Sequence, residues 1–443
     1  MHRIKKITFL LVLVGLKLAT AQAANTESIH SKEAQLAVNT PLQTIYEYQN
    51  FFNNKKNMSQ LLAPSPRTRY LWQNMSRLFK TEMVLRNGPI SYLPEKVNPK
   101  IDAIAFRDKN NPHMTVKTFF DHYPMDAMIV IHHGVIVDEH YKTMRSFDKH
   151  NWFSVGKTIA GTLTAILQSE GKIDVKKPVS FYLPKLKGSV WDSVPVIDVL
   201  NMTTGLNATE HEEPNDDAHT NPERGWYQWV VSLGVFNDSK NLHQSPITLL
   251  RNMKRDKAGN TVFEYNSIDT WVLELIIERV TGKPLNEVFG HDVWRKIGAQ
   301  ADGYIAISPD GYPIGWGLMS STLRDLARFG LIFTPSWHVV SSQRIISKKT
   351  LQMIQHSGNP AIFDDGFVGR YMISTLHEKN LTNGYQWDVI FPDGDLFKAG
   401  VGGQGLYVSP SRDLVIAWFS TGESDEQIMA RAIALYYYKK HKK

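Results

Sequence analysis

Hydrophobic residues are grouped in two ways along this chain: compact β-branched and aromatic runs lie near residue 130 and again after 385, with helical periodicity between them. Ala127-Met128-Ile129-Val130-Ile131, then His132-His133-Gly134, then Val135-Ile136-Val137 predicts a β-hairpin turning at the two histidines. Strands are predicted again at Tyr385–Ile390, Gln404–Ser409 and Leu414–Ser420. The stretch 175–370 reads as mainly helical, with apolar helices at Trp271–Val280, stopped by Gly282 and Pro284, and at Thr322–Phe333. A last helix is predicted to open at Ser424, with Gln427 three residues on completing a capping box. Strands at both ends with helices between them predict an α/β (α+β) domain whose two ends pair in one antiparallel sheet.

Ahead of this domain the pattern is weaker. Residues 24–115 are polar and mixed, punctuated by Pro64-Ser65-Pro66 and Asn110-Asn111-Pro112, and read as an N-terminal extension packing on a main domain at 116–443. Residues 1–23 read as a signal peptide: Arg3, Lys5 and Lys6 precede an apolar run from Ile7 to Leu18, and Ala21-Gln22-Ala23 offers a small-residue cleavage site. That run is short for a membrane span and contains Lys17, so the expectation is an exported protein, periplasmic or secreted, with no transmembrane segment in the mature chain.

Composition narrows the function classes. With no cysteine there is no disulfide, no thiolate metal site and no cysteine nucleophile. The formal charge of +7 invites a nucleic-acid or membrane reading, but residues 1–23 carry four cations and no acid, so the mature chain holds only +3. Lys439, Lys440, Lys442 and Lys443 at the C-terminus more than account for that remainder, and nucleic-acid binding is not expected. His132 and His133 are adjacent turn residues with no third histidine nearby, and no His-Glu-x-x-His occurs, so neither a metal site nor a cofactor is expected.

The candidate chemistry lies at Ser154-Val155-Gly156-Lys157, directly before the apolar run Ile159–Leu167. In a helix, residues three apart share a face, so the Ser154 hydroxyl and the Lys157 amine can meet. A serine hydroxyl is a weak nucleophile until a base removes its proton, and a desolvated lysine can be that base. Two other Ser-x-x-Lys matches, at Ser146 and Ser169, lack an apolar helix behind them. Gly156-Lys157-Thr158 imitates the end of a phosphate-binding loop, but Asn151 stands where that motif requires glycine. Tyr265, in Phe263-Glu264-Tyr265-Asn266-Ser267, is placed on a loop before the helix at Trp271, where a phenol with its pKa lowered by cations can handle a second proton. The glycine-dense stretch Lys398-Ala399-Gly400-Val401-Gly402-Gly403-Gln404 reads as a strand edge whose N–H groups can form part of an oxyanion hole.

In this order and approximate spacing, Ser154-x-x-Lys157, Tyr265-Asn266-Ser267 and Lys398-Ala399-Gly400 resemble the three motifs of serine β-lactamases and penicillin-binding proteins. The likeness is closer to the class C-like branch of esterases and 6-aminohexanoate-dimer hydrolases. It is supported by Leu200-Asn201-Met202-Thr203-Thr204-Gly205-Leu206, by Leu275–Gly282, by Thr322–Gly330 and by Tyr385-Gln386-Trp387, over residues 120–435 or so. The resemblance implies a β-lactamase-like fold with helices on both faces of the sheet. It also implies Ser154 as the acylated nucleophile, Lys157 as its proton acceptor and Tyr265 as general acid/base. The backbone N–H groups of Ser154 and Val401 would form the oxyanion hole, and Lys398, Ser267 and Gly400 would meet substrate. Ser267 stands where β-lactamases keep asparagine, and Ala399 where they keep threonine or serine. These departures favour small or short oligomeric ester and linear amide substrates over a β-lactamase or D,D-peptidase. A catalytically silent binding protein on the same fold is the alternative from another class; joint retention of Ser154, Lys157 and Tyr265 argues for an enzyme. Lys398, read as a fixed positive charge beside the oxyanion hole, implies a substrate bearing a carboxylate.

Overall fold

The computed structural model describes residues 42–109, 111–236 and 244–441. The expected signal peptide at 1–23, and Lys442 and Lys443, lie outside the described residues. The central element is a seven-stranded antiparallel sheet. In chain order its strands are β1 (Met125–His132), β2 (Val135–Tyr141), β3 (Thr382–Gly384), β4 (Trp387–Ile390), β5 (Leu396–Gly400), β6 (Gln404–Ser409) and β7 (Leu414–Ser420). Their spatial order is β2-β1-β7-β6-β5-β4-β3. The two ends of the domain meet where β7 pairs with β1, in a register that sets Val415 opposite Ile131 and Ala417 opposite Ile129.

β7 is apolar along almost its whole length because it is buried on both faces. Val415, Ala417 and Phe419 point into one hydrophobic cluster, with Ile129 and Ile131 of β1. Leu414, Ile416 and Trp418 alternate into a second cluster, with Met128 and Val130. Three helices, α1 (Lys157–Ser169), α2 (Ser267–Thr281) and α3 (Leu323–Leu331), supply Leu163, Ile276 and Leu326 to the first cluster. The C-terminal helix α4 (Glu426–His441) supplies Met429, Ala430 and Ile433 to the second. Among the described residues, no helix is long and apolar enough to cross a membrane.

Local chemistry moves several predicted boundaries. The hairpin turns at His133-Gly134, one residue later than predicted, because a two-residue loop needs positive φ at both positions; these have φ 51° and 72°. The predicted strand Tyr385–Ile390 is interrupted by positive φ at Tyr385 and Gln386, so β3 and β4 are separate. Gln386 leaves the ladder to donate to Val199 O at 3.0 Å and to accept from Thr270 at 2.6 Å. The last helix begins at Glu426, and Gln427 donates to Asp425 at 3.4 Å rather than closing a capping box with Ser424. Within 175–370 lie two short strands, Gly303–Ala306 and Met319–Ser321, in a four-stranded sheet with Thr81–Val84 and His150–Asn151. Thr81–Val84, from the segment before residue 115, pairs there with Gly303–Ala306.

Candidate active site

Ser154 lies on a 3-10 turn, Phe153–Gly156, and the α-helix α1 starts only at Lys157. The turn brings the two side chains together: Lys157 Nζ donates to Ser154 Oγ at 2.9 Å and to Trp316 O at 3.2 Å. Ser154 opens onto a cavity of about 570 Å³ that Tyr265, Gly400 and Val401 also line. Lys157 is wholly buried behind it. Burial holds the Lys157 pKa down at about 8; Lys398 pushes in the same direction, while Glu210 opposes both.

Tyr265 occupies the predicted loop, fixed by the cap of α2, where Asn266 Oδ1 accepts from Ile268 N at 3.0 Å and Asn266 Nδ2 donates to Ala208 O at 2.8 Å. The phenol accepts from Lys398 Nζ at 3.0 Å, and Tyr265 lines the same cavity as Ser154. The expected lowering of its pKa is overturned. Burial, with the carboxylates of Asp388 and Glu210, raises it well above the usual 10, so the phenol stays protonated at neutral pH.

The structure assigns Lys398 a different situation from the one predicted. It is fully buried and donates to both oxygens of Asp388, at 2.7 and 2.8 Å, and to Ala399 O at 3.1 Å. β4 and β5 set Val389 opposite Phe397, which brings Asp388 alongside Lys398 one step further along the strands. Lys398 is therefore a neutralised charge behind Tyr265, not a free cation facing substrate. The other acid nearby in sequence, Asp395, pairs with Arg412 at 2.8 Å and Arg431 at 3.0 Å.

Ser267 is also turned away from the cavity. Its N–H donates to Glu210 Oε1 at 2.7 Å, and its hydroxyl makes a short hydrogen bond to the same oxygen. Glu210 went unrecognised in the sequence, where it is one acid in the polar run Glu210-His211-Glu212-Glu213. In space it stands 4.0 Å from Lys157 Nζ and 3.9 Å from His219 Nε2. Burial alone would raise its pKa, but Lys157, His219 and Ser267 outweigh that and keep the carboxylate ionised. Asp388 was also missed, although a lone acid in the apolar strand Trp387–Ile390 signals a buried partner.

Gly400 packs β5 against the nucleophile turn; a Cβ there would lie 2.6 Å from Trp152 O and 3.2 Å from the Phe153 side chain. Val401, the next residue, lines the cavity together with Ser154. Ser154 N is a first-turn donor with no helical acceptor, and among the described residues neither it nor Val401 N donates to a backbone carbonyl.

His132 and His133 do not gather a metal-ligand set: His133 Nδ1 meets Asp413 at 3.0 Å, and His132 stacks on Tyr437. Among the described residues, Asp102, Asp138 and His140 form a His–carboxylate cluster elsewhere, where His140 Nε2 lies 3.1 Å from each acid. This contact explains the rise of the His140 pKa to about 9 against its burial.

A helix-covered antiparallel sheet joined from both chain ends, with a buried Ser–Lys pair on the turn into its first long helix, defines a β-lactamase-like hydrolase fold. The chain belongs to the beta-lactamase family, whose profile matches residues 115–438. It is similar to 6-aminohexanoate-dimer hydrolase of Paenarthrobacter ureafaciens, at 28% identity over 361 residues, covering 81% of this chain and 86% of that protein. Among solved structures, it superposes on a candidate 6-aminohexanoate-dimer hydrolase from Bacillus anthracis with TM-score 0.72 at 21% identity, covering 88% of this chain and 98% of that one. It also superposes on EstCE1, a hydrolase with promiscuous acyltransferase activity, with TM-score 0.54 at 16% identity, covering 73% of this chain and 96% of that one.

Proposed function

We propose that this protein is an exported serine hydrolase that cleaves ester or linear amide bonds through an acyl-enzyme on Ser154. The observation that carries the reading is the 2.9 Å hydrogen bond between Ser154 Oγ and a buried lysine whose pKa is held near 8. Neutral Lys157 takes the Ser154 proton as Oγ attacks the carbonyl carbon. The backbone N–H groups of Ser154 and Val401 stabilise the oxyanion. Tyr265, protonated and lining the same cavity as Ser154, delivers a proton to the leaving group, and water then releases the acyl group with the roles reversed. Lys398 and Asp388 form a neutral pair that fixes the phenol. The similarity to 6-aminohexanoate-dimer hydrolase supports a short oligomeric amide or ester as substrate. Export rests on the pattern of residues 1–23.

Lys398, tied to Asp388, does not supply the free positive charge on which the expectation of a carboxylate-bearing substrate rested. Glu423 and Asp425 line the cavity, Asp425 paired from outside it with Lys109 at 3.1 Å, and among the described residues lining it there is no lysine or arginine. Neutral or amine-bearing p-nitrophenyl esters are therefore expected to be preferred over isosteres with an anionic acyl tail. The expected difference is roughly tenfold in kcat/KM, equivalent to about 1.4 kcal/mol. A preference for the anionic ester would overturn this assignment. Penicillins and cephalosporins are expected to turn over poorly, because Ser267 faces Glu210 and Ala399 carries no hydroxyl. A panel of short-chain esters, linear amides and a chromogenic cephalosporin tests this; efficient cephalosporin hydrolysis with the esters and amides untouched would restore the β-lactamase alternative.

The Lys157 pKa also sets a pH dependence. The base must be neutral, and below pH 8 its neutral fraction falls tenfold per unit. Ester hydrolysis should climb with pH through about 8 and level off above it. A flat profile between pH 6 and 9 would rule out Lys157 as the base.

A further inference from the structure

The family match begins at residue 115, yet a residue well before it touches both arms of the proposed oxyanion hole. Trp72 ends the short helix Pro66–Trp72 and is completely buried. Its indole N–H donates to Leu61 O at 3.0 Å, which fixes the plane of the ring. Against one part of that ring lies Phe153, edge-on, with centroids 4.8 Å apart and planes at 79°. Phe153 immediately precedes Ser154 and is held at φ 46°, a left-handed conformation that a bulky side chain keeps only when its surroundings enforce it. Against another part lies Gly402, the residue after Val401. It has φ 77°, and a Cβ there would overlap the indole.

We propose that Trp72 is a positioning residue: a rigid aromatic plate that fixes the turn carrying the Ser154 amide relative to the loop carrying the Val401 amide. The inference rests on the assignment of those two amides as the oxyanion hole in the proposed function. The plate is tied to the main domain. Arg69, on the same helix, pairs with the buried carboxylate of Asp126 at 2.9 Å, and Asp126 also accepts from Thr421 at 2.5 Å. The next residue, Gly422, donates its N–H to Gly402 O at 3.0 Å. Through Trp72 the N-terminal segment thus contributes to the geometry of the site.

Replacement of the ring should loosen the spacing of the two donors while leaving the cavity walls and Lys157 in place. Trp72→Leu is expected to lower kcat on a p-nitrophenyl ester by about 10- to 100-fold, with KM changed by less than about threefold. The rate of fluorophosphonate labelling should fall in parallel, and the pH midpoint near 8 should not move. Trp72→Phe, which retains a flat ring, should recover most of the rate. Trp72→Met serves as a second variant if the leucine form does not fold, because it fills the volume without holding a plane. A folded Trp72→Leu or Trp72→Met protein with wild-type kcat, or with a loss confined to KM, would overturn the proposal. Wild-type protein that forms no fluorophosphonate adduct would instead sink the parent reading together with this one.

Discussion

Lys157→Arg is expected to lose about 10²- to 10⁴-fold in kcat/KM on simple esters, the usual contribution of a positioned general base. Two physical reasons point the same way. Arginine stays charged at any workable pH and cannot accept the Ser154 proton. The site is also shaped for a compact amine: Lys157 Nζ is enclosed by Ser154, Trp316 O and the rings of Tyr265 and Trp316, with centroids 5.1 and 5.5 Å away. Lys157→Ala separates charge from bulk, and its rate should be partly restored by added small primary amines. Steady-state kinetics on a p-nitrophenyl ester checks both variants. An arginine variant keeping more than roughly a tenth of the wild-type rate would show that the serine is activated by another group.

Ser154→Ala should be more severe, with turnover reduced on the order of 10⁴-fold or more, because no acyl-enzyme can form without the nucleophile. The substitution removes one small, almost buried hydroxyl, so the fold should be unaffected; circular dichroism and thermal melting provide the control. Folded alanine protein that keeps more than about a hundredth of the wild-type rate would indicate a different nucleophile.

The grouping of Ser154, Lys157 and Tyr265 was legible because its parts are local. Ser154 and Lys157 are three residues apart, and Tyr265 directly precedes a strongly apolar helix with an asparagine cap. Strands β6 and β7 were also legible at both ends, since continuous apolar runs bounded by polar residues signal buried strands. Short strands such as Gly303–Ala306 and Met319–Ser321 were not, because three or four residues carry no period. The electrostatics were the least legible part. The charge of Lys398 is cancelled by Asp388 on the neighbouring strand, and Lys157 is balanced by Glu210 from a distant loop. Neither pairing follows from sequence spacing, so the sequence suggests a free cation where the structure has a neutral pair. The same absence of nearby carboxylates from a purely local reading led to a lowered phenol pKa for Tyr265, where burial, Asp388 and Glu210 raise it. Trp72 left no trace in the motifs because it acts through shape, from a segment outside the family match.

The central claim is that Ser154 carries the acyl group. Wild-type protein exposed briefly to a fluorophosphonate or a slowly deacylating p-nitrophenyl ester, digested and mapped by mass spectrometry, tests it most directly. One adduct per chain is expected, located on the Phe153-Ser154-Val155 segment and absent from Ser154→Ala. An adduct on any other residue, or one that persists at full stoichiometry in the alanine variant, would contradict it.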